Sequence, residues 1–276
     1  MDRKRNVRSV FSSGLMFAFA LVFAAGCGGG GSSDSGGGSE GSSEGGSQEE
    51  AITVASNIAY PPFEFNEGGE PTGFDIDLMN AVAEEAGYEV EFQNVRFDGI
   101  VQGLASGQYE VAISAMTITE EREQQVDFSE PYFNADQSLM VQADSDIEST
   151  DDLGEATIGV ESGTTGSLEA TELEEAGDAG EIRTFNTITD AFNALENGQV
   201  DAVINDIPVS AERQSESDGN LEIVQNIPTG EQYGIAFPQD SELIQPMNEA
   251  LATVKENGTY AEIYQEWFDQ EPEQIP

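Results

Sequence analysis

"GFDIDLMNAVAEEAGYEVEFQNV", residues 73 to 95, changes its apolar period halfway along. Ile76, Met79, Val82, Ala83 and Ala86 recur at the three- and four-residue spacing that lines one face of a helix, and Gly87 supplies a stop. From Tyr88 the pattern switches, and Tyr88, Val90 and Phe92 alternate with polar residues as in a strand with one buried face. A helix that feeds a strand through a single glycine is half of a β-α-β unit. The other half stands upstream, where "AITVAS" (51 to 56) reads as a buried strand.

Downstream, a short helix carrying Ile100, Val101 and Leu104 precedes a further strand, "VAISAM" (111 to 116). The β-α-β-α-β order then recurs. "ATIGV" (156 to 160), a helix near 166 to 176, "EIRTF" (181 to 185), a helix near 189 to 197 stopped by Gly198, and "DAVIND" (201 to 206) follow one another. Two similar α/β units predict two lobes, and the span from Ala51 to Pro276 has room for two of about 100 residues each. The last third reads as helices over 241 to 258 and 259 to 268, and on the second of these Trp267 falls on the apolar stripe, as a packing anchor does.

The segment before Ala51 has a different character. Arg3, Lys4, Arg5 and Arg8 precede an apolar run from Leu15 to Ala25, and Ala24-Ala25-Gly26-Cys27 closes it with small residues. This predicts a signal peptide over 1–26, too short to remain as a membrane span. Residues 28 to 50 are mostly Gly and Ser, a flexible tether reaching about 25 to 30 Å. Cys27 is the chain's one cysteine, so no internal disulfide forms.

The chain holds 9 Lys and Arg against 54 Asp and Glu, with no His, for a formal net charge of −45. Beyond the signal the cations are Arg96, Arg122, Arg183, Arg213 and Lys255. Such a surface excludes nucleic acid as a partner, which needs a basic footprint. The acid is spread along the whole chain, which predicts a surface kept hydrated in strong salt and hence a halophilic source. Without His or a free mature thiol, imidazole acid–base chemistry and cysteine nucleophiles are ruled out.

"ITVASNIAYPPFEF", "GFDIDLMNAVAEE", "FDGIVQGLASGQYEVAISAMTITEEREQQVDFSEPY", "IGVESGTTGS", "DAVINDIP" and "QYGIAFP" stand in order along the chain. Together they resemble the family 3 extracellular solute-binding proteins, which capture polar amino acids for ABC importers, and look most like the glutamine-binding members. The resemblance implies a two-lobed, periplasmic-binding-protein-like α/β fold of type II with two hinge strands. Lobe 1 would comprise 51–131 and 234–276, lobe 2 137–228, and the hinges 132–136 and 229–233. It implies an extracytoplasmic protein anchored to the membrane by a lipid on Cys27, with 27–50 as lipidated cysteine and linker. Its partners would be a free amino acid and a membrane permease. A monomer is expected, with no cofactor, no metal site and no catalytic residue.

The resemblance also implies a binding site. Arg122, in "TITEER", matches the arginine that grips the ligand carboxylate, a task its planar fork of N–H groups suits. Asp206 matches the acceptor of the α-ammonium and stands at the C-terminal end of a predicted strand, where open α/β sheets bind ligands. The turn "SGTTGS" opens a helix, so around Thr164, Thr165 and Gly166 backbone N–H groups can receive the same carboxylate. Tyr60 and Phe97 match the two aromatics that sandwich the aliphatic part of the ligand. Ser114 and Thr117, with Ala115 between them in the same set, match lobe 1 positions that bond the ammonium and carboxylate through backbone and hydroxyl groups.

Asn57, Glu161 and Asn205 fall where ligand side chains are read. The two amides suit glutamine or asparagine. Glu161 instead suits a cationic ligand such as arginine or lysine, or is one more acid of a halophilic surface. An alternative of another class is an enzyme of the cyclohexadienyl dehydratase kind, which uses cleft carboxylates on this scaffold.

Overall fold

The computed structural model of the protein describes residues 51–272 and 274–276; the expected signal segment, Cys27 and the linker, over 1–50, lie outside them. β1 (Ile52–Ser56) is the seed of the first sheet. A hairpin of β2 (Phe65–Glu67) and β3 (Glu70–Thr72) leads into α1 (Phe74–Ala86), which buries Ile76, Leu78, Met79, Val82 and Ala83. Gly87 ends that helix in the left-handed region, φ 81°, where a side chain would be strained. β4 (Val90–Asn94) then lies parallel to β1, and α2 (Ile100–Ala105) returns the chain to β5 (Val111–Ala112), parallel to β1 on its other side. α3 (Glu120–Glu123) and β6 (Val126–Phe128) complete this stretch.

The second sheet begins with β7 (Phe133–Gln142) and runs through β8 (Ile158–Glu161), α4 (Thr165–Ala176), β9 (Ile182–Phe185), α5 (Ile188–Glu196) and β10 (Ala202–Asp206). α6 (Ile207–Glu216) then hands over to β11 (Leu221–Tyr233). The chain returns to the first sheet as β12 (Ala236–Pro238) and ends in α7 (Ile244–Glu256) and α8 (Thr259–Phe268). The strand orders are β4-β1-β5-β12-β6 and β11-β7-β10-β8-β9. Two mixed α/β sheets therefore form two lobes.

β7 and β11 are long antiparallel strands that run side by side where the chain passes between the sheets. Phe133, Asn134 and Ala135 face Tyr233, Gln232 and Glu231, and a break in register between Ile227 and Glu231 follows. An aromatic cluster surrounds this junction. Phe133 stacks on Tyr233 at 5.6 Å and meets Phe63 edge-on at 4.9 Å, while Tyr264 and Phe268 of α8 close over it. Each such pair contributes about 0.5 to 1.5 kcal/mol beyond its buried area, so the last helix is held to the first lobe. Trp267 is an anchor, as expected: its ring meets Phe65 edge-on and its N–H donates to Asp77 at 2.8 Å.

One strand is shorter than its apolar run. Of 111 to 116, only Val111–Ala112 is paired as a strand. Ala115 adopts a positive φ of 44°, and its N–H leaves the ladder to donate to the Asp75 carboxylate at 2.7 Å. The chain thereby swings Ser114 to Thr117 out to the mouth of the sheet.

Candidate functional site

Asn57, Tyr60, Phe97, Ser114, Ala115, Thr117, Arg122, Glu161, Thr164, Thr165 and Asp206 line one cavity between the lobes, and Glu64 lines it with them. Gly166 and Asn205 do not. Gly166 sits in the first turn of α4, where a side chain would stand 2.9 Å from the Ile204 carbonyl, so its role is close packing of α4 on β10. Asn205 accepts the Tyr60 hydroxyl at 2.9 Å and so steadies a cavity residue from outside.

Arg122 lies on the one-turn helix α3, capped by Thr119, whose hydroxyl accepts the Arg122 N–H at 3.2 Å. Its guanidinium donates to the Thr117 carbonyl at 2.6 Å and to the Gly163 carbonyl at 3.0 Å, and its carbon stands 5.3 Å from the Phe97 ring centre. These contacts join a segment of the first lobe to the turn that opens α4 in the second. Burial lowers the pKa of Arg122, while Asp206, Glu231 and Glu121 oppose the shift. A guanidinium stays charged through such a shift.

Asp206 ends β10, where the chain turns into α6 with Pro208 in the first turn. Its carboxylate accepts the Tyr60 hydroxyl at 2.7 Å, the Tyr233 hydroxyl and the Gln137 side-chain amide. Burial raises its pKa to about 6, partly offset by the hydrogen bonds from Tyr233 and Tyr60. Tyr60 thus joins this network through its hydroxyl, a contact the resemblance did not imply.

The acid of the cavity exceeds its base. Glu161, at the end of β8, is 2 % exposed, so it is no part of the acidic surface. One of its oxygens accepts the Ile188 N–H at 3.0 Å while the other is buried without a partner, and burial pushes its pKa up to about 8. Glu64 is fully buried, accepts the Ser114 hydroxyl at 2.8 Å, and meets the Asp75 carboxyl group, with which a protonated Glu64 shares a hydrogen bond. Behind it Asp75 accepts the Ala115 N–H and the Tyr132 hydroxyl, each at 2.7 Å. Burial and the neighbouring Asp75 hold Glu64 well above the ordinary carboxylate range.

The hydroxyl groups point their protons elsewhere than expected. Ser114 donates to Glu64, Thr117 and Thr165 donate to Glu231, and Thr164 donates to the Glu161 carbonyl. What they offer the cavity is lone pairs. N–H donors at the cavity belong to Arg122 and to the first turn of α4, where Thr164 caps the Ser167 N–H at 3.1 Å and the N–H groups before it have no intrahelical acceptor. Among the described residues no group of three or more metal-ligating side chains could hold an ion.

Glu64, Asp75, Gln137, Glu231 and Tyr233 went unread in the sequence. Asp75 carried a signal, since it stands three and four residues before Leu78 and Met79 on the buried stripe of α1. Glu64 sits between aromatics in "PPFEF". A carboxylate inside an apolar run is the mark of a buried acid with a task.

Residues 52–175 and 173–270 match the family described as bacterial extracellular solute-binding proteins, family 3. The arginine-binding periplasmic protein of Mannheimia haemolytica is 37% identical over 218 residues, covering 76% of this chain and 88% of that one. The ABC transporter glutamine-binding protein GlnH of Bacillus subtilis is 29% identical over 274 residues, covering 96% and 99%. Among solved structures, the arginine-, lysine-, histidine-binding protein ArtJ of Geobacillus stearothermophilus superposes with a TM-score of 0.76 at 38% identity, over 81% of this chain and 97% of that one. The two-lobed fold of type II is thereby shown.

Proposed function

Because the chain belongs to the bacterial extracellular solute-binding proteins of family 3, we propose that it captures a cationic L-amino acid, arginine foremost, for an ABC importer. It is the amino acid-binding component of that importer, works outside the cytoplasm with a membrane permease as partner, and is not an enzyme.

The observation that carries the ligand class is the surplus of buried acid in the cavity, which burial holds largely protonated and which a cationic ligand would ionise. Arg122 is the cation there, against Asp206, Glu161 and Glu64. The carboxylate and ammonium of a free amino acid answer Arg122 and Asp206. Glu161 and Glu64 remain, and a guanidinium at the side-chain end meets them where an uncharged side chain leaves buried acid unpaired. The hydroxyl lone pairs favour a ligand rich in donors in the same way. The glutamine expectation leaned on Asn57 and Asn205 as a pair, and Asn205 stands off the cavity. The relative named for arginine and the solved structure named for arginine, lysine and histidine agree with this reading.

Glutamine remains as a second reading on one observation. With a pKa near 8, Glu161 is largely a neutral acid at pH 7 and can donate to an amide oxygen. The remaining parts of the proposal are the lobe boundaries at 51–131 with 234–276 and at 137–228, hinges at 132–136 and 229–233, a lipid anchor on Cys27, a monomer, and an origin in strong salt.

Calorimetric titration with arginine, lysine, histidine, glutamine and glutamate in high salt tests the ligand. Arginine is expected tightest, with glutamate at least about tenfold weaker, because its second carboxylate adds buried acid to a cavity that Glu161 and Glu64 already fill with it. Glutamine binding tighter than arginine would favour the second reading, and glutamate binding tightest would overturn the charge argument.

A further inference from the structure

Glu231 stands on β11 opposite Ala135 of β7, at the break in register, and is no part of the cavity lining. One of its oxygens, Oε2, collects three donors: the Thr165 hydroxyl at 2.8 Å, the Thr117 hydroxyl at 3.0 Å and the Gln137 side-chain amide at 3.1 Å. The three come from different parts of the molecule. Thr117 belongs to the segment that leaves the first sheet before α3, Thr165 opens α4 on the second sheet, and Gln137 lies on β7.

The two threonine oxygens are 3.5 Å apart, one from each lobe. Hydroxyls that face each other across a cleft need an acceptor, and a carboxylate accepts both protons and strengthens each bond by its charge. Gln137, fully buried, carries the connection inward, since its amide also donates to Asp206. Contacts between the lobes made by Tyr60 with Asp206 and by Arg122 with the Gly163 carbonyl use cavity residues at both ends or one, and the Thr189 hydroxyl reaches the Ala59 carbonyl at 3.3 Å. Glu231 differs in that the acceptor itself lies outside the cavity lining and takes a hydroxyl from each lobe at once.

We propose that Glu231 is a positioning residue that fastens the two lobes together, one carboxylate oxygen on a connecting strand holding a hydroxyl from each lobe, and so sets how long a bound ligand stays. It acts through Thr117 and Thr165 without touching the ligand. This takes from the preceding reading only that the cleft opens to admit an amino acid.

The test compares Glu231→Ala and Glu231→Gln with the wild type in stopped-flow binding of arginine and in small-angle scattering with and without arginine. Loss of hydrogen bonds to a charged acceptor is expected to raise the dissociation rate of the alanine variant about tenfold or more, with the association rate within about threefold. Its radius of gyration should rise even without arginine. Glutamine retains an acceptor oxygen and should recover part of both effects, which also guards against a folding defect in the alanine variant. If the wild type ignores arginine, the ligand assignment fails while the ligand-free scattering still decides on Glu231. Unchanged scattering, or an unchanged dissociation rate where arginine binds, would overturn the proposal.

Discussion

Among the cations from Ala51 onward, Arg122 lines the cavity, and its guanidinium is held by two backbone carbonyls, those of Thr117 and Gly163. Arg122→Ala is expected to weaken arginine binding by about two to three and a half powers of ten, as for a buried charge pair losing one side at about 3 to 5 kcal/mol. Arg122→Lys should recover only part of this, because an ammonium cannot make two parallel bonds. Arg183→Ala, on an exposed side chain bonded to the Gln199 carbonyl, should change affinity less than about threefold in the same titration. Glu161 adds a dependence on pH. Burial raises it from an ordinary 4.5 to about 8, so within that window the folded protein holds a proton that the unfolded chain has released. Stability of the ligand-free protein should therefore fall as pH rises from about 4.5 to about 8, and Glu161→Gln should flatten the melting-temperature profile there. Binding of a cation favours the ionised form, so arginine affinity should rise from pH 6 to 8 in the wild type and less steeply in that variant, where Asp206 and Glu64 still titrate. That Arg122, Asp206 and Tyr60 would meet in one cavity was legible because their motifs surround them. Glu64, Glu231 and the direction of the hydroxyl protons were not, because in so acidic a chain one carboxylate looks like another until its burial is known.

Gly73 sets the geometry at the scale of elements. It joins β3 to α1 at φ 131°, and a side chain there would stand 2.1 Å from the Phe63 carbonyl, which itself accepts the Asp75 N–H at 2.9 Å. Gly73→Ala is expected to cost about 2 kcal/mol or more and to lower the melting temperature by about 4 °C or more, since both the backbone angle and the contact are violated. Because Phe63 and Asp75 flank the acids of the cavity, the same variant should bind arginine more weakly. A melting temperature within 1 °C of wild type would contradict this account of the β3–α1 junction. The parallel strands and most of the helices were readable from period alone, while α3 and α6 were passed over. β5 was overread because Val111 to Met116 is apolar beyond the point where its ladder ends. The lengths of β7 and β11 escaped notice because Pro228 and Gly230 interrupt β11 and its burial does not alternate cleanly.

For the molecule as a whole the dominant fact is a net charge of −45, carried without a single histidine. At about 1 M salt the Debye length is roughly 3 Å, so repulsion among surface carboxylates is screened. The melting temperature should rise steeply between 0.1 and 2 M KCl, and a flat profile would remove the halophilic expectation. The proposed selectivity lies inside, where Glu161 and Glu64 line the same cavity as Arg122 and Asp206. The buried acid of the cavity should select a cationic side chain. Arginine and citrulline have nearly the same shape and differ in the charge of the terminal group, so calorimetry of both on the same preparation isolates that selection. Arginine should bind about a hundredfold more tightly or better, and equal affinities within about threefold would contradict the account.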